Sequence, residues 1–192
     1  MNTALVNHLR LHSVRTGQFT LKSGATSTWF IDSKQTICRP DGLLLVADAL
    51  LAILPDDVTT LGGLTMGADP VAFGVAGVAA TRGRPLSAFS VRKEIKDHGP
   101  GGRIAGALEP GARVAVVEDT VTRGASPLEA AAVVREAGAV PVAVIAVVDR
   151  GGTCAARCQA AGLGFFALVT APELGFEYEG GDKVTSYPPA AK

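Results

Sequence analysis

The chain has 192 residues, of which 47% are hydrophobic and 19% are charged, so it can bury a substantial core and is not a disordered protein. Basic and acidic residues number 18 each, and this balance argues against a global electrostatic attraction to nucleic acid or anionic membranes. No apolar stretch has the length of a bilayer span, and the amino terminus lacks the apolar region of a signal peptide. Three cysteines are too few to frame a disulfide-stabilised fold, which fits a reducing cytoplasm.

The predicted secondary structure alternates between helices and strands along the chain. An amphipathic helix over residues 3–15 precedes a strand- and turn-rich segment, and Asp41 is the expected N-cap of the following helix, which ends at Pro55. Further strands are predicted at 58–64, 85–91, 113–118, 141–149 and 165–169, and further helices at 70–82, 127–137 and around Cys154 and Cys158. The strands are almost entirely apolar, which indicates an open, mainly parallel α/β sheet covered by helices on both faces.

The domain organisation follows from the absence of a linker. Residues 1–192 are expected to form one domain, in which residues 1 to about 35 are a small N-terminal subdomain and 36–192 the core. Residues 92–103 are predicted to be a charged, glycine-rich loop. Cys154 and Cys158 lie four residues apart without other metal ligands nearby, so packing is favoured over metal binding for this pair.

The sequence VAVVEDTVTRGAS, residues 114–126, carries the strongest functional signal. Four apolar residues run into Glu118 and Asp119, and the S-x-x-E pattern from Ser126 to Glu129 predicts a capping box at the start of the next helix. The loop between them therefore joins the carboxyl end of a strand to the amino end of a helix, where open α/β sheets bind ligands. Free N–H groups and the helix dipole favour a phosphate at this place.

The two carboxylates beside a phosphate site need an explanation, since like charges repel. Either a metal ion bridges them to the ligand, or they accept hydrogen bonds from sugar hydroxyls. A phosphorylated sugar fits both possibilities, because its phosphate can bind the loop while its hydroxyls lie at the two acids. The alternative, in which Glu118 and Asp119 merely end a strand in solvent, is disfavoured because they directly follow four apolar residues.

Three motifs together resemble one family. VAVVEDTVTRGAS is similar to the 5-phosphoribosyl 1-diphosphate (PRPP) motif of type I phosphoribosyltransferases. FTLKSG, residues 19–24, resembles the N-terminal signature of orotate phosphoribosyltransferases, and VRKEIKDHGPGG, residues 91–102, resembles their mobile catalytic loop. The motifs occur in the order of the family, at a similar chain length, and cover most of the sequence.

The resemblance implies an activity: transfer of ribose 5-phosphate from PRPP to orotate, with Mg²⁺ bound through PRPP rather than by the protein directly. It also implies a homodimer in which the loop of one subunit reaches the site of the other. Lys96, His98 and Asp119 are the implied catalytic residues. Arg92 and Lys93 join Lys96 and His98 as cations for the leaving pyrophosphate, a role in which they stabilise the developing negative charge.

The resemblance assigns the remaining site residues by position. Glu118 and Asp119 are expected to hold the ribose hydroxyls, Lys22 to assist orotate or pyrophosphate, and Arg150 to pair with the orotate carboxylate. The expected 5-phosphate loop consists of Thr120, Val121, Thr122, Arg123, Gly124, Ala125 and Ser126.

Two departures from the family pattern stand out. The expected pyrophosphate loop, residues 62–70, contains Met66 and Asp69 but lacks the lysine that many members have, so its backbone N–H groups must bind the ligand. Arg123 stands where a small residue is usual, and either supplies the missing charge or points to solvent. Two other functions stay open: a type I transferase for a different base, and a non-catalytic regulator that senses PRPP, although the neutral chain lacks a DNA-binding element.

Overall fold

The computed structural model of the protein describes residues 2–20, 26–96 and 102–179. Within these residues the chain begins with helix α1 (Thr3–His12), the antiparallel hairpin of β1 (Val14–Thr20) and β2 (Thr26–Ile31), and the short helix α2 (Lys34–Ile37). The first helix is shorter than predicted, because the backbone of Ser13 caps it and β1 starts at the next residue. This N-terminal segment leads directly into the main sheet and its helices.

The main sheet has six strands in the order β5-β4-β3-β6-β7-β8, and its five strands other than β5 run parallel. The bounds are β3 (Thr60–Leu64), β4 (Ser87–Lys96), β5 (Gly102–Gly106), β6 (Arg113–Val121), β7 (Val140–Asp149) and β8 (Gly164–Thr170). The helices are α3 (Pro40–Leu51), α4 (Asp69–Thr81), α5 (Ala125–Glu136) and α6 (Cys154–Ala160), and a 3₁₀ turn spans Pro172–Leu174. The predicted open, mainly parallel α/β sheet is confirmed.

The hydrophobic core lies on both faces of this sheet. Alternate residues of β6 point to opposite faces, so Val117 belongs to one core cluster and Val116 to the other. The first cluster joins the N-terminal segment, including Leu9, to α3 and α4, while the second packs α5 and α6 against the opposite face. Cys158 is fully buried in the second cluster, as expected from a packing role. No helix in the described parts of the chain is long and apolar enough to cross a bilayer.

Two of the predicted helix N-caps are each wrong by two residues. Helix α3 has Arg39 as its N-cap and Pro40 in the first turn, so Asp41 lies inside the helix instead of capping it. Helix α5 has Gly124 as its N-cap, in the left-handed conformation with φ 73°, and no side chain caps it. The predicted capping box is therefore absent, because a glycine in the left-handed region already turns the chain into the helix.

The predicted loop over residues 92–103 is also corrected. Strand β4 continues to Lys96, and β5 pairs with it antiparallel from Gly102, so that both ends of the predicted loop are strand. The charged residues Arg92 and Lys93 therefore lie on an arm of a β-hairpin, in the stretch between Val91 and Lys96 where the strand register shifts. Residues 97–101 lie outside the described residues.

Candidate active site

Glu118 and Asp119 lie near the carboxyl end of β6, at the edge of the sheet where ligands bind in open α/β folds. The strand was predicted to end at Glu118, but it continues to Val121, so both acids are strand residues. Only 5% of Glu118 and 8% of Asp119 is exposed, which excludes a pair of ordinary surface acids. Two adjacent buried carboxylates need specific partners to offset the cost of burial.

Burial and, after it, the neighbouring charge of Asp119 together raise the pKa of Glu118 to about 8. At neutral pH, Glu118 is therefore mostly protonated and carries little negative charge. This protonation reduces the repulsion that two carboxylates would exert on a phosphorylated ligand. A protonated Glu118 can also donate a hydrogen bond as well as accept one.

Two successive residues at the start of α2 reach across to Asp119. Ser33 donates from Oγ to Asp119 Oδ2 at 3.2 Å, and its hydroxyl also lies 2.9 Å from Thr120 Oγ1. Lys34 forms an ion pair with the same carboxylate oxygen. The other oxygen, Oδ1, accepts the backbone N–H of Thr120 at 2.8 Å. The carboxylate of Asp119 is thereby held from two sides by the N-terminal segment and by its own strand.

The predicted phosphate loop leaves β6 beside these acids. Thr120 and Val121 are the last residues of the strand, Thr122 to Gly124 make the turn, and Ala125 and Ser126 open α5. Arg123 is exposed and its carbonyl accepts from Arg157 at 2.7 Å, while the carbonyl of Thr122 accepts from Thr153 at 3.0 Å.

These carbonyl contacts orient the loop. The C=O and N–H of a planar trans peptide group point in opposite directions, so carbonyls bonded toward α6 turn the following N–H groups away from it. Together with the amino end of α5, this arrangement gives the loop the character of an anion site. The start of α6 packs closely against the loop, since a Cβ on Gly124 would lie 2.5 Å from Cys154 Sγ.

The predicted pyrophosphate loop lies against the two acids. It follows β3, includes a cis peptide between Thr65 and Met66, and leads into α4. Met66 is 68% exposed, and Asp69 is held by the hydroxyls of Thr65 and Ser90, so no side chain of this loop supplies a cation.

Gly67 is expected to be essential for ligand binding, because a Cβ there would lie 2.3 Å from Glu118 Oε1 and 2.7 Å from Asp119 Oδ1. Gly67→Ala must displace one or both carboxylates. Since overpacking of this kind costs about 1–3 kcal/mol, PRPP affinity should fall by about tenfold or more. Calorimetric titration with PRPP measures the effect. Gly77→Ala on α4 is the matched control, as its Cβ would meet nothing within 4 Å, and unchanged PRPP affinity of Gly67→Ala would contradict the close contact.

The β4–β5 hairpin accounts for two of the predicted leaving-group cations. Arg92 donates from Nη1 to the carbonyls of Gly102 at 3.2 Å and Ile104 at 3.3 Å, so its guanidinium braces the hairpin. Lys93 is exposed. Arg103 donates to the carbonyl of Arg92 at 2.7 Å and pairs with Glu129 on α5, which gives Glu129 a role other than capping. Lys22 and His98 lie outside the described residues, as does the side chain of Lys96.

Arg150 follows β7 and is buried between the N-terminal segment and the C-terminal residues. Its Nη2 donates to Ser27 Oγ at 3.2 Å and to the carbonyl of Trp29 at 3.1 Å, and it pairs with Glu179. The guanidinium carbon lies 4.9 Å from the centre of the Trp29 ring, which stacks on Phe176 at 4.4 Å. Arg150 Nε is buried without a hydrogen-bond partner among the described residues.

Sequence reasoning missed three contributors to this site: Lys34, Gly67 and Glu179. The polar run Asp32–Lys34 directly after an apolar strand was a signal that the N-terminal segment turns toward the sheet edge. No comparable signal marks Gly67 or Glu179, since their importance depends on residues far away in the chain.

Comparison with known proteins gives a consistent result, although no family model matches the chain. It is 42% identical to the orotate phosphoribosyltransferase of Streptomyces avermitilis over 176 residues, which cover 91% of this chain and 97% of that protein. The structure matches a crystal structure of Mycobacterium tuberculosis orotate phosphoribosyltransferase with a TM-score of 0.82 and 36% identity, covering 91% of this chain and 99% of that one. A second structure from M. tuberculosis, in complex with PRPP, matches with a TM-score of 0.77 and 33% identity, over 91% and 99% of the two chains.

Proposed function

This chain belongs to the orotate phosphoribosyltransferase family, and on that premise we propose that it transfers ribose 5-phosphate from PRPP to orotate. The products are orotidine 5′-monophosphate and pyrophosphate, in de novo pyrimidine biosynthesis. The observation that carries the proposal is the juxtaposition of buried Glu118 and Asp119 with the phosphate loop at the carboxyl edge of the parallel sheet. Such a site offers acceptors for ribose hydroxyls and N–H donors for a phosphate in adjoining positions.

The reaction breaks the bond between the anomeric carbon and the pyrophosphate oxygen and forms a bond from that carbon to a ring nitrogen of orotate. That nitrogen loses its proton, which is released to the departing pyrophosphate or to water. Positive charge grows on the ribose ring while negative charge grows on the leaving group. Glu118 and Asp119 hold the ribose, and the proposed catalytic cations Lys96 and His98 stabilise the departing pyrophosphate together with Lys93. Arg92 contributes by bracing the hairpin that carries these groups, since its guanidinium is bonded to hairpin carbonyls.

Mg²⁺ is part of the proposal as an ion bound through PRPP. Among the described residues no three histidine, cysteine or carboxylate side chains converge as a metal cage. We propose that the ion would be held mainly by ligand oxygens and water. In that position the ion would neutralise charge on the pyrophosphate. Glu118 and Asp119 would position the ribose hydroxyls on which such binding depends.

The proposed orotate site is built around Arg150. Its guanidinium is fixed over the Trp29 ring, and its buried Nε still lacks an acceptor among the described residues. A carboxylate is the acceptor that best matches a guanidinium. In the free protein, however, Glu179 already presents a carboxylate to Arg150. Orotate must therefore compete with an internal carboxylate for the same cation.

Glu179→Gln should lower the KM for orotate several-fold, because the neutral amide competes less well for Arg150. The same change should lower the melting temperature of the free enzyme, since only 9% of the Arg150 side chain is exposed and breaking a buried pair is destabilising. Orotate should then raise the melting temperature of the variant more than that of the wild type. Glu177→Gln, at an exposed neighbour, is the control. An unchanged or higher orotate KM for Glu179→Gln would contradict competition.

A homodimer with shared sites is also proposed. Leu44 on α3, Met66 in the pyrophosphate loop and Phe73 on α4 are large apolar residues with 48%, 68% and 47% exposure. Exposed apolar residues grouped on neighbouring elements are typical of an interaction surface. An isologous dimer through this face would bring a second copy next to the pyrophosphate loop.

The remaining assignments concern the whole chain. We propose that residues 1–192 act as one domain, with residues 1 to about 35 as a hood over the PRPP-binding core, because both share one hydrophobic cluster. A cytoplasmic location is proposed from the three free cysteines, two of which are buried.

The decisive experiment follows absorbance of orotate during incubation with PRPP and Mg²⁺, with adenine, hypoxanthine and uracil as competing bases. Consumption of orotate alone supports the proposed function. Turnover of another base instead would indicate a transferase of different specificity. PRPP binding without turnover of any base would indicate a regulator.

A further inference from the structure

Lys34 lies next to the proposed ribose site, although no motif in the sequence points to it. It is the first residue of α2 and forms an ion pair with Asp119 Oδ2. The Lys34 side chain is 39% exposed, whereas that of Asp119 is 11% exposed, so the pair lies at the mouth of the site with the acid inward. We propose that Lys34 is a positioning residue for PRPP: its ammonium group holds the carboxylate of Asp119 in the orientation that binds the ribose hydroxyls. This inference rests on the proposed function.

The contacts of Asp119 favour this role over an incidental surface ion pair. Ser33 and Lys34 bind the same carboxylate oxygen, and the N–H of Thr120 binds the other. The three donors come from two elements that are distant in sequence, and together they fix the plane of the carboxylate. A surface ion pair contributes little to stability because its side chains remain free to move. The carboxylate of Asp119, in contrast, is buried and accepts three hydrogen bonds.

The charges around the site make a cation necessary. Two adjacent buried carboxyl groups disfavour each other's ionisation, so they titrate as a coupled pair. Burial and the charge of Asp119 raise the pKa of Glu118, while the charge of Lys34 opposes that shift. Although partial burial opposes it, the bond to Asp119 raises the pKa of Lys34 above its usual value, so Lys34 stays charged over the working pH range.

Other charged groups act on this arrangement more weakly. Asp32 lies in the same segment and adds to the negative charge felt by Lys34. Asp69, at the start of α4, is bound by two hydroxyls and does not contact Asp119. The pyrophosphate loop presents Gly67, without charge, to the two acids. Lys34 is thus the cation among the described residues that directly contacts the acidic pair.

Lys34→Met tests the inference. Loss of the cation should raise the pKa of Glu118 further, because the positive charge of Lys34 favours the ionised form of that carboxyl. The acid limb of the pH profile of kcat/KM for PRPP should then move upward by about one pH unit. We expect the KM for PRPP at neutral pH to rise about tenfold, with little change in kcat or in the KM for orotate. PRPP itself titrates in this range, but equally for every variant, so the difference between profiles is informative.

Two further variants separate positioning from stability. Lys34→Arg retains the charge and should restore most of the PRPP affinity and the wild-type acid limb. Arg82→Met removes another ion-paired cation, with Asp48, at the opposite edge of the sheet, and should leave the profile unchanged. Calorimetric titration with PRPP at several pH values provides the same comparison without turnover.

The outcomes are distinct. An unshifted acid limb for Lys34→Met, in an enzyme that turns over orotate, would overturn the inference. A fall in kcat without a pH shift would also overturn it, since it would mean that Lys34 contacts the pyrophosphate directly. Wild-type enzyme that does not use orotate and PRPP at all would instead refute the proposed function, independently of Lys34.

Discussion

Lys96→Ala should lower kcat by about 100-fold or more while raising the KM for PRPP much less. In the proposed mechanism its ammonium group acts mainly where negative charge accumulates on the departing pyrophosphate, and loss of one such transition-state contact typically costs about 10²–10³ in rate. Steady-state kinetics with saturating orotate measure both constants. Arg82→Ala removes a cation far from the site and serves as the control. Near-normal turnover of Lys96→Ala would remove this residue from the mechanism.

Mixing two nearly inactive variants should restore about a quarter of the wild-type activity. If the hairpin loop of one subunit completes the site of the other, a dimer of Lys96→Ala and Asp119→Ala has one site with both defects and one with neither. Random reassociation after unfolding makes about half of the dimers mixed. Each mixed dimer has one intact site of two, so the mixture should recover about a quarter of the wild-type activity. If the loop acts in its own subunit, every site retains one defect.

The complementation experiment requires proof that mixed dimers form. A different affinity tag on each variant allows mixed dimers to be isolated by two successive purification steps. Isolated mixed dimers should have about half of the wild-type activity, while each variant refolded alone provides the background. Inactive mixed dimers would refute a site shared between subunits, although the proposed transfer reaction itself would stand.

The position of the acidic site could be predicted because its signals are local. Apolar strand residues followed by Glu118 and Asp119, and then a loop before a helix, define the carboxyl edge of a parallel sheet without knowledge of any distant contact. The strand order, the antiparallel edge strand β5 and the extension of β4 through Arg92 depend on pairing between separate segments. Such pairing is decided by tertiary context, which overrides the turn preference of a charged, glycine-rich stretch.

The start of α5 and the ion pairs of two glutamates also could not be predicted from local sequence patterns. Ser126 has the chemistry of an N-cap, and the sequence pattern favours it, yet Gly124 takes that place because the chain must turn sharply away from Val121. The roles of Glu129 and Glu179 could not be predicted either, because their partners Arg103 and Arg150 are far from them in the sequence.

The shared core of the N-terminal segment has a consequence for protein engineering. Leu5, Leu9, Trp29 and Ile31 are buried in the same cluster as Leu50 of α3, and Trp29 also stacks on Phe176 near the other end of the described chain. A chimera that exchanged residues 1 to about 35 between relatives would therefore recombine two halves of one interior, with mismatched side chains on both sides of the junction. Poorly matched packing of this kind costs several kcal/mol, which is a large fraction of a typical domain's stability. Substitutions around Arg150, the proposed orotate site, would thus disturb this shared interior less than grafting the whole segment.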